Sequence, residues 1–100
     1  MEKKEQEFSL TLINLWNIIE NRKTADPDKS YTAFLFKKGI NRISQKVGEE
    51  AVETLIAALA KDKKEVAEES ADLIYHLMIL WNVCGVHPND VFRIIENRKS

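Results

Sequence analysis

Apolar residues in the first part of the chain recur with the spacing of an amphipathic helix. Five of them lie at i, i+4, i+7, i+8 and i+11, namely Phe8, Leu12, Leu15, Trp16 and Ile19. This period of about 3.6 residues places them on one face and predicts a first helix. The polar stretch from Asn21 to Lys29 contains Pro27 and predicts a loop.

A short helix and then a long one are predicted next. Ser30 is a suitable N-cap for the short helix, which contains Phe34 and Phe36 and ends at Gly39. The long helix is expected to run from about Asn41 to about Ala60. Its predicted buried side consists of Val47, Ala51, Leu55, Ala58 and Leu59.

A second long helix is expected from about Glu65 to about Cys84, after a polar link in which Asp62 is a suitable cap. Gly85 ends this helix and Pro88 begins the last one, as is usual for glycine at helix ends and proline at helix starts. The main apolar face of the second long helix consists of Val66, Leu73, Leu77, Leu80 and Trp81. The last helix is predicted to dock through Val91, Ile94 and Ile95.

Together these elements predict an all-α fold, a bundle of about five helices. Two long helices joined by a short link are expected to pack antiparallel. So many apolar faces on a chain of 100 residues leave a smaller chance of closing the core within one copy. We therefore expect dimerisation through the long helices to complete the bundle.

Composition narrows the class of protein. One hundred residues fit one domain, so residues 1–100 are expected to form a single domain. The longest strictly apolar run, Leu77–Trp81, is far shorter than the roughly 20 residues of a membrane span. The charged N-terminus predicts no signal peptide. The single cysteine, Cys84, cannot form an internal disulfide, which predicts a cytosolic compartment.

The overall charge is nearly balanced, with 15 basic and 16 acidic residues. This balance argues against a nucleic-acid module that binds mainly by counterion release. The charges are nevertheless segregated along the chain. From Lys29 to Val47 there are five bases and no acid, whereas from Gly48 to Asp72 there are eight acids and three bases.

Each of the two long helices is predicted to carry a stripe of acidic residues. On the first, Glu49, Glu50 and Glu53 fall within an arc of roughly 100°, which also contains Lys46. On the second, four residues at i, i+4, i+7 and i+11 share one face, namely Glu65, Glu69, Asp72 and His76. Facing each other, the two stripes would repel unless a cation lay between them.

A divalent cation and a phosphate would suit this distribution of charge. Mg²⁺ and Mn²⁺ prefer carboxylate oxygens, and Lys or Arg can neutralise the remaining phosphate charge. The alternative is that the acids form solvated helix faces. Lys46–Glu50 and Lys61–Glu65 would then be i, i+4 pairs that only support their helices.

Several motifs in the chain resemble those of one enzyme family. They are Ser30-Tyr31-Thr32, Gly39-Ile40, the run Lys46-Val47-Gly48-Glu49-Glu50-Ala51-Val52-Glu53, and the run Glu69-Ser70-Ala71-Asp72-Leu73-Ile74-Tyr75-His76-Leu77. The pattern is similar to the phosphoribosyl-ATP pyrophosphohydrolases of histidine biosynthesis, from about Phe8 to Arg98. The acidic motifs alone are shared with the wider all-α nucleoside triphosphate pyrophosphohydrolases. The Ser-Tyr-Thr and Ala-Asp-Leu-x-Tyr-His motifs narrow the resemblance to the phosphoribosyl-ATP branch of that superfamily.

The resemblance implies a Mg²⁺-dependent enzyme that converts phosphoribosyl-ATP and water into phosphoribosyl-AMP and pyrophosphate, the second step of histidine biosynthesis. It also implies an all-α, typically dimeric fold. The family domain is often fused to the cyclohydrolase of the next step, and this chain is expected to be the stand-alone form.

Roles for individual residues follow from the resemblance and from direct attack by water. The expected metal ligands are Glu50, Glu53, Glu69 and Asp72, and the catalytic residues are Glu49 and Glu50. Glu49 is either a further ligand or the general base, and the sequence does not separate these roles. The residues expected to contact substrate or phosphate are Lys46, Arg42, Lys38, Thr32 and His76.

The remaining singular residues are expected to be structural. His87 precedes Pro88 at a helix start, and four aromatic residues are interpreted as core or dimer contacts, namely Trp16, Trp81, Phe34 and Phe36. Two other functions stay open. An enzyme that hydrolyses ordinary or damaged nucleotides would use the same acids, and a non-catalytic helical dimerisation module would leave them solvated.

Overall fold

The computed structural model describes the backbone of residues 2–99 and the side chains of residues 7–99. Over this range the chain forms five α-helices and no strand, which confirms the all-α prediction. The helices are α1 (Glu2–Arg22), α2 (Tyr31–Lys38), α3 (Ile40–Leu59), α4 (Lys63–Val83) and α5 (Pro88–Asn97). Helix α1 continues through Arg22, so the predicted loop begins two residues too early.

Local side-chain chemistry fixes the helix starts where the sequence predicts them. Ser30 accepts a hydrogen bond from the backbone N–H of Ala33, and Asp62 accepts one from Glu65. At α5, Nδ1 of His87 accepts from the N–H of Asn89, and the Asp90 carboxylate accepts from the N–H of His87. These caps satisfy N–H groups that have no partner inside the helix, and they give His87 a structural role.

The ends of α3 and α4 share one backbone motif. After α3, the N–H of Lys61 bonds the carbonyl of Ala58, and the N–H of Asp62 bonds that of Ala57. After α4, Gly85 and Val86 make the corresponding two bonds. In this Schellman motif the first residue past the cap is left-handed, with φ of 59° at Lys61 and 72° at Gly85. The motif reverses the chain within residues 60–62, so that α4 packs back along α3 in the antiparallel arrangement predicted.

The core lies where α1, α2 and α3 meet the second half of α4. Its fully buried side chains are Ile19, Leu35, Ile43, Met78 and Ile79. Partly buried aromatic residues pack around them, including Trp16, Phe34, Phe36 and Trp81. The prediction that these aromatic residues make core contacts is therefore confirmed.

The predicted buried side of α3 is wrong over its second half. Leu55 is 63% exposed, Leu59 is 85% exposed and Ala58 is also exposed. The side chains that α3 buries are Ile43, Glu50 and Ala57. The reason is that α3 turns its acidic face, not its apolar face, toward α4.

Two further apolar contacts differ from the prediction. Ile94 and Ile95 of α5 are each about half exposed, and Phe8 of α1 is 68% exposed. Helix α5 instead places the ring of Phe92 against Trp81, with centroids 6.4 Å apart. On α4 the predicted apolar face is only partly buried, and the buried residues are His76, Met78, Ile79 and Asn82. Among the described residues, no helix combines the length and the apolar content that a membrane crossing requires.

Candidate metal centre

Three carboxylates from facing turns of α3 and α4 converge in the helix interface. One oxygen each from Glu50, Glu69 and Asp72 lies within 4.8 Å of the others. We call these three residues the acidic cluster. Glu50 comes from α3, whereas Glu69 and Asp72 lie three residues apart on α4, a spacing that aims both side chains the same way.

In two of these carboxylates, the fold buries one oxygen atom without a hydrogen-bond partner. Glu50 is only 6% exposed. Its Oε2 atom, like Oε2 of Glu69, is buried and has no hydrogen-bond partner. A buried anionic oxygen without a hydrogen-bond partner is unfavourable, so a bound cation would stabilise the cluster.

Neighbouring acids shift the titration of Glu69, and the largest effect comes from Glu53. A hydrogen bond shared with Glu53, followed by burial and the negative charge of Glu53, raises the pKa of Glu69 to about 7. Glu50 contributes in the same direction. Glu53 is exposed and lies beside the cluster, so the fourth predicted ligand adjoins the other three.

Lys46 lies beside the cluster on α3. Its Nζ atom is 3.5 Å from a carboxylate oxygen of Glu49 and 3.5 Å from one of Glu50. Burial opposes the charged form, yet the pKa of Lys46 is raised overall because Tyr31, Glu50 and Glu49 all favour the ammonium. The side chain is 22% exposed, so its charge can reach both the cluster and the solvent.

Glu49 occupies the rim of the site. Its carboxylate accepts a hydrogen bond from the Gln45 side chain at 3.0 Å. This bond is the main reason that the pKa of Glu49 is lowered, and Lys46 adds to the effect. Arg42 also contacts Gln45, with Nη1 3.3 Å from the side-chain oxygen. Arg42 is thus one residue removed from Glu49, on the exposed side of α3.

Two other predicted contact residues lie on α2. The ammonium of Lys38 is 5.6 Å from the centre of the Phe34 ring, on the protein surface. Thr32 is buried, and its hydroxyl bonds the hydroxyl of Tyr75 on α4. In this arrangement the Thr32 hydroxyl helps to dock α2 on α4.

His76 is buried one turn beyond Asp72 and has both ring nitrogens engaged. Nδ1 lies 2.8 Å from the backbone oxygen of Asp72, and Nε2 lies 3.0 Å from the hydroxyl of Tyr31. Tyr31 and Tyr75 lie within the sequence motifs, but the sequence predicts no role for either. The sequence signal that could point to a role is that each tyrosine is adjacent to a predicted contact residue, Tyr31 to Thr32 and Tyr75 to His76.

The residues present fit a hard divalent cation. All three members of the acidic cluster supply oxygen atoms, which such ions prefer, and two of those carboxylates carry buried oxygens that lack partners. A neighbouring ammonium and an exposed rim would allow an anionic ligand to approach from the solvent side.

Comparison with known proteins places these residues in a family context. Residues 12–99 match the family model described as Phosphoribosyl-ATP pyrophosphohydrolase. A phosphoribosyl-ATP pyrophosphatase of Paramagnetospirillum magneticum is 52% identical over 90% of this chain and 83% of that protein. A phosphoribosyl-ATP pyrophosphatase of Azospirillum brasilense is 48% identical over 96% of this chain and 87% of that protein.

Some relatives are longer. A bifunctional histidine-biosynthesis protein of Photobacterium profundum is 49% identical over 98% of this chain but only 47% of its own length. The segment that matches is therefore one part of that larger protein.

Proposed function

The chain belongs to the phosphoribosyl-ATP pyrophosphohydrolase family, and on that basis we propose that it hydrolyses phosphoribosyl-ATP to phosphoribosyl-AMP and pyrophosphate in histidine biosynthesis. The structural observation that supports this proposal is the acidic cluster, in which carboxylate oxygens of Glu50, Glu69 and Asp72 lie within 4.8 Å of one another. The cation for which these residues are suited is Mg²⁺, with Mn²⁺ as a substitute, and Glu53 is its fourth protein ligand.

The reaction cleaves the anhydride between the α and β phosphates. The oxygen of one water molecule bonds to phosphorus as the bridging P–O bond breaks, and a carboxylate takes the proton of that water. The chemistry that a bound cation supplies is neutralisation of phosphate charge and a lower pKa for water.

The chain's own residues bind the phosphate groups and accept the proton of the attacking water. Lys46 binds phosphate oxygens at the mouth of the site, while Arg42 and Lys38 extend the positive charge along the path of approach. Glu49 and Glu50 are the candidates for the base. Glu49 is exposed, so it can reach a water on the solvent side, whereas Glu50 is buried against Lys46.

Two features of the enzyme in the cell belong to the same proposal. The enzyme acts in the cytoplasm, where its nucleotide substrate would be made and consumed. It works as a homodimer, because the apolar face of α3 at Val52, Leu55, Ile56 and Leu59 is exposed in one copy.

A coupled assay of pyrophosphate release tests the activity. With phosphoribosyl-ATP and Mg²⁺ the protein should turn over rapidly, and addition of EDTA should abolish the reaction. Phosphoribosyl-ATP should far outpace dATP, dCTP and dUTP. Equal rates with dUTP would support a nucleotide-sanitising enzyme instead, and no release with any nucleotide would support a non-catalytic module.

Substitution in the cluster tests the site separately. Asp72→Asn should lower turnover by about 100-fold or more while the helical circular dichroism is unchanged, because it removes a ligand charge from an exposed position. Glu68→Gln is the matched control, since Glu68 is an exposed acid on the same helix that pairs with Lys64 and lies outside the acidic cluster. A rate within tenfold of wild type for Asp72→Asn would contradict the ligand assignment.

A further inference from the structure

Three polar side chains form a chain of hydrogen bonds along the rim of the candidate metal centre. Nη1 of Arg42 donates to the side-chain oxygen of Gln45 at 3.3 Å, and Nε2 of Gln45 donates to Oε2 of Glu49 at 3.0 Å. The three residues lie at i, i+3 and i+7, so they share one face of α3. Because the helix fixes their backbones, the bonds depend only on the side-chain conformations.

The chemistry of the two end groups determines the orientation of the Gln45 amide. A guanidinium can only donate hydrogen bonds, and an ionised carboxylate can only accept them. The amide oxygen of Gln45 must therefore face Arg42, and its NH₂ group must face Glu49. The flipped amide would place its oxygen atom against the Glu49 carboxylate and lose both bonds.

The two oxygens of Glu49 are held by different partners. Oε2 accepts from Gln45, and Oε1 lies 3.5 Å from the ammonium of Lys46. Under the proposed function Lys46 binds phosphate oxygens, so its hold on Glu49 weakens when the substrate arrives. The Gln45 amide is neutral and is attracted to phosphate less strongly, so its bond to Glu49 can persist in the complex.

Glu49 and Glu50 differ in what their surroundings allow. Glu50 belongs to the acidic cluster and has a buried oxygen there without a hydrogen-bond partner, which suits a metal ligand. The Glu49 side chain lies outside that cluster and is 46% exposed. Its carboxylate has acceptor sites beyond the one that Gln45 uses, so it can still take a proton from a water molecule.

We propose that Gln45 is a positioning residue for Glu49. Its amide, oriented by Arg42, holds the Glu49 carboxylate at the rim of the site, where Glu49 takes the proton of the attacking water. This inference rests on the proposed function of the site. It assigns the base to Glu49 and leaves Glu50 as a ligand.

Steady-state kinetics of two substitutions to methionine test this role. Gln45→Met keeps the length of the side chain and removes the amide, and it should lower kcat for phosphoribosyl-ATP by about tenfold because the base is no longer aligned. KM should stay within about twofold of wild type, since Gln45 does not bind phosphate. Ser44→Met places the same side chain at the neighbouring exposed position and should change neither constant. A raised KM with unchanged kcat in Gln45→Met, or an equal loss in Ser44→Met, would overturn the proposal.

A double-substitution cycle asks whether Gln45 acts through Glu49. In a Glu49→Gln background, Gln45→Met should lower kcat no further, since the group that it positions has lost its charge. Gln45→Lys, which restores a donor toward Glu49, should retain kcat within about threefold of wild type. A further tenfold loss in the Glu49→Gln background would contradict the proposal, and so would a Gln45→Lys variant as slow as Gln45→Met.

A spectroscopic measurement tests the bond without turnover. The chain contains two glutamines, Gln6 and Gln45, so in protein labelled with ¹⁵N-glutamine the substitution Gln45→Met identifies the side-chain amide signal of Gln45 in an NMR spectrum. Glu49→Ala should shift that signal because the acceptor is lost, whereas Glu68→Ala should leave it in place. An unchanged signal in Glu49→Ala would overturn the inference even if the enzyme is active. A wild-type protein that shows the expected shift but does not hydrolyse phosphoribosyl-ATP would instead refute the proposed function.

Discussion

Glu69 shows how the fold changes the behaviour of an ordinary side chain. On a solvated helix its carboxyl would be ionised at neutral pH. Held against Glu53 and Glu50, it has a pKa of about 7, and it retains a proton over part of the physiological range. Because the folded pKa lies above the model value of 4.5, folding favours the protonated form of this group.

The sign of this shift predicts how the metal-free protein responds to pH. The contribution of Glu69 to stability is complete below about pH 4.5 and is lost as the pH rises through about 7. In EDTA, the melting temperature of wild type should therefore fall between pH 5 and pH 8 relative to Glu69→Gln. Conversely, Mg²⁺ affinity should rise by about tenfold from pH 6 to pH 8, because the cation competes with one proton.

Thermal melts and calorimetry of three proteins check this expectation. Glu68→Gln serves as the control, since Glu68 is exposed and lies outside the acidic cluster. If wild type, Glu68→Gln and Glu69→Gln shift in parallel with pH, then Glu69 is not the group responsible.

At the scale of whole elements, the two Schellman motifs place different residues in the same backbone position. Gly85 adopts its φ of 72° without a side chain to clash, whereas Lys61 adopts a φ of 59° with one. A left-handed conformation costs a residue with a Cβ atom about 1 kcal/mol relative to glycine. The turn that sets α4 against α3 is therefore strained at Lys61.

Exchange of the two residue types measures this strain. Lys61→Gly should raise the free energy of unfolding by about 1 kcal/mol, offset in part by the greater freedom of glycine in the unfolded chain. Gly85→Lys should lower it by a similar amount, and no atom within 4 Å would obstruct the new Cβ. Urea denaturation provides both values, and a loss of stability in Lys61→Gly would contradict the argument.

The sequence predicts the helices and their ends well because these depend on neighbours in the chain. Ser30, Asp62, Gly39 and Pro88 each act within a few residues, and each occupies the predicted position. The orientation of the helices is not local. Leu55 and Leu59 have the spacing of a buried face, yet packing turns Glu50 inward in their place.

In the candidate site, too, some features depend on neighbours in the chain and others on how the helices pack. The stripe containing Glu69 and Asp72 follows from helical period, so their convergence with Glu50 could be anticipated from the spacing. The bond between Tyr31 and His76 joins residues that are 45 positions apart. No pattern within one helix contains that contact, and it depends on how α2 docks against α4.

At the scale of the molecule, a single copy is extended and leaves apolar surface uncovered. Its radius of gyration is 14.8 Å, against about 13 Å for a compact domain of this length. The exposed apolar residues of α3 coexist with a cavity of about 710 Å³ between α1, α4 and α5, lined by residues such as Trp16, Leu77 and Phe92. In the proposed homodimer, a second copy would cover such surface.

Charge introduced on α3 tests the dimer. Leu55→Glu should shift the protein toward monomer by at least about 100-fold in dissociation constant, because like charges would meet in a desolvated contact. Lys63→Glu, which changes an exposed charge at the start of α4, should leave the assembly intact. Sedimentation velocity at micromolar concentration measures both, and a stable wild-type monomer would contradict dimerisation.

The inward-facing Glu50 and Glu69 have a consequence for attempts to evolve or engineer this protein. Neutral side chains at these positions would relieve repulsion in the place where α3 and α4 pack. A selection for heat resistance carried out in a chelator should therefore enrich Gln or Ala at positions 50 and 69, and its most robust survivors would be inactive. Under the proposed function, a selection carried out with Mg²⁺ present throughout should instead retain Glu50 and Glu69 and so allow heat resistance and activity to improve together.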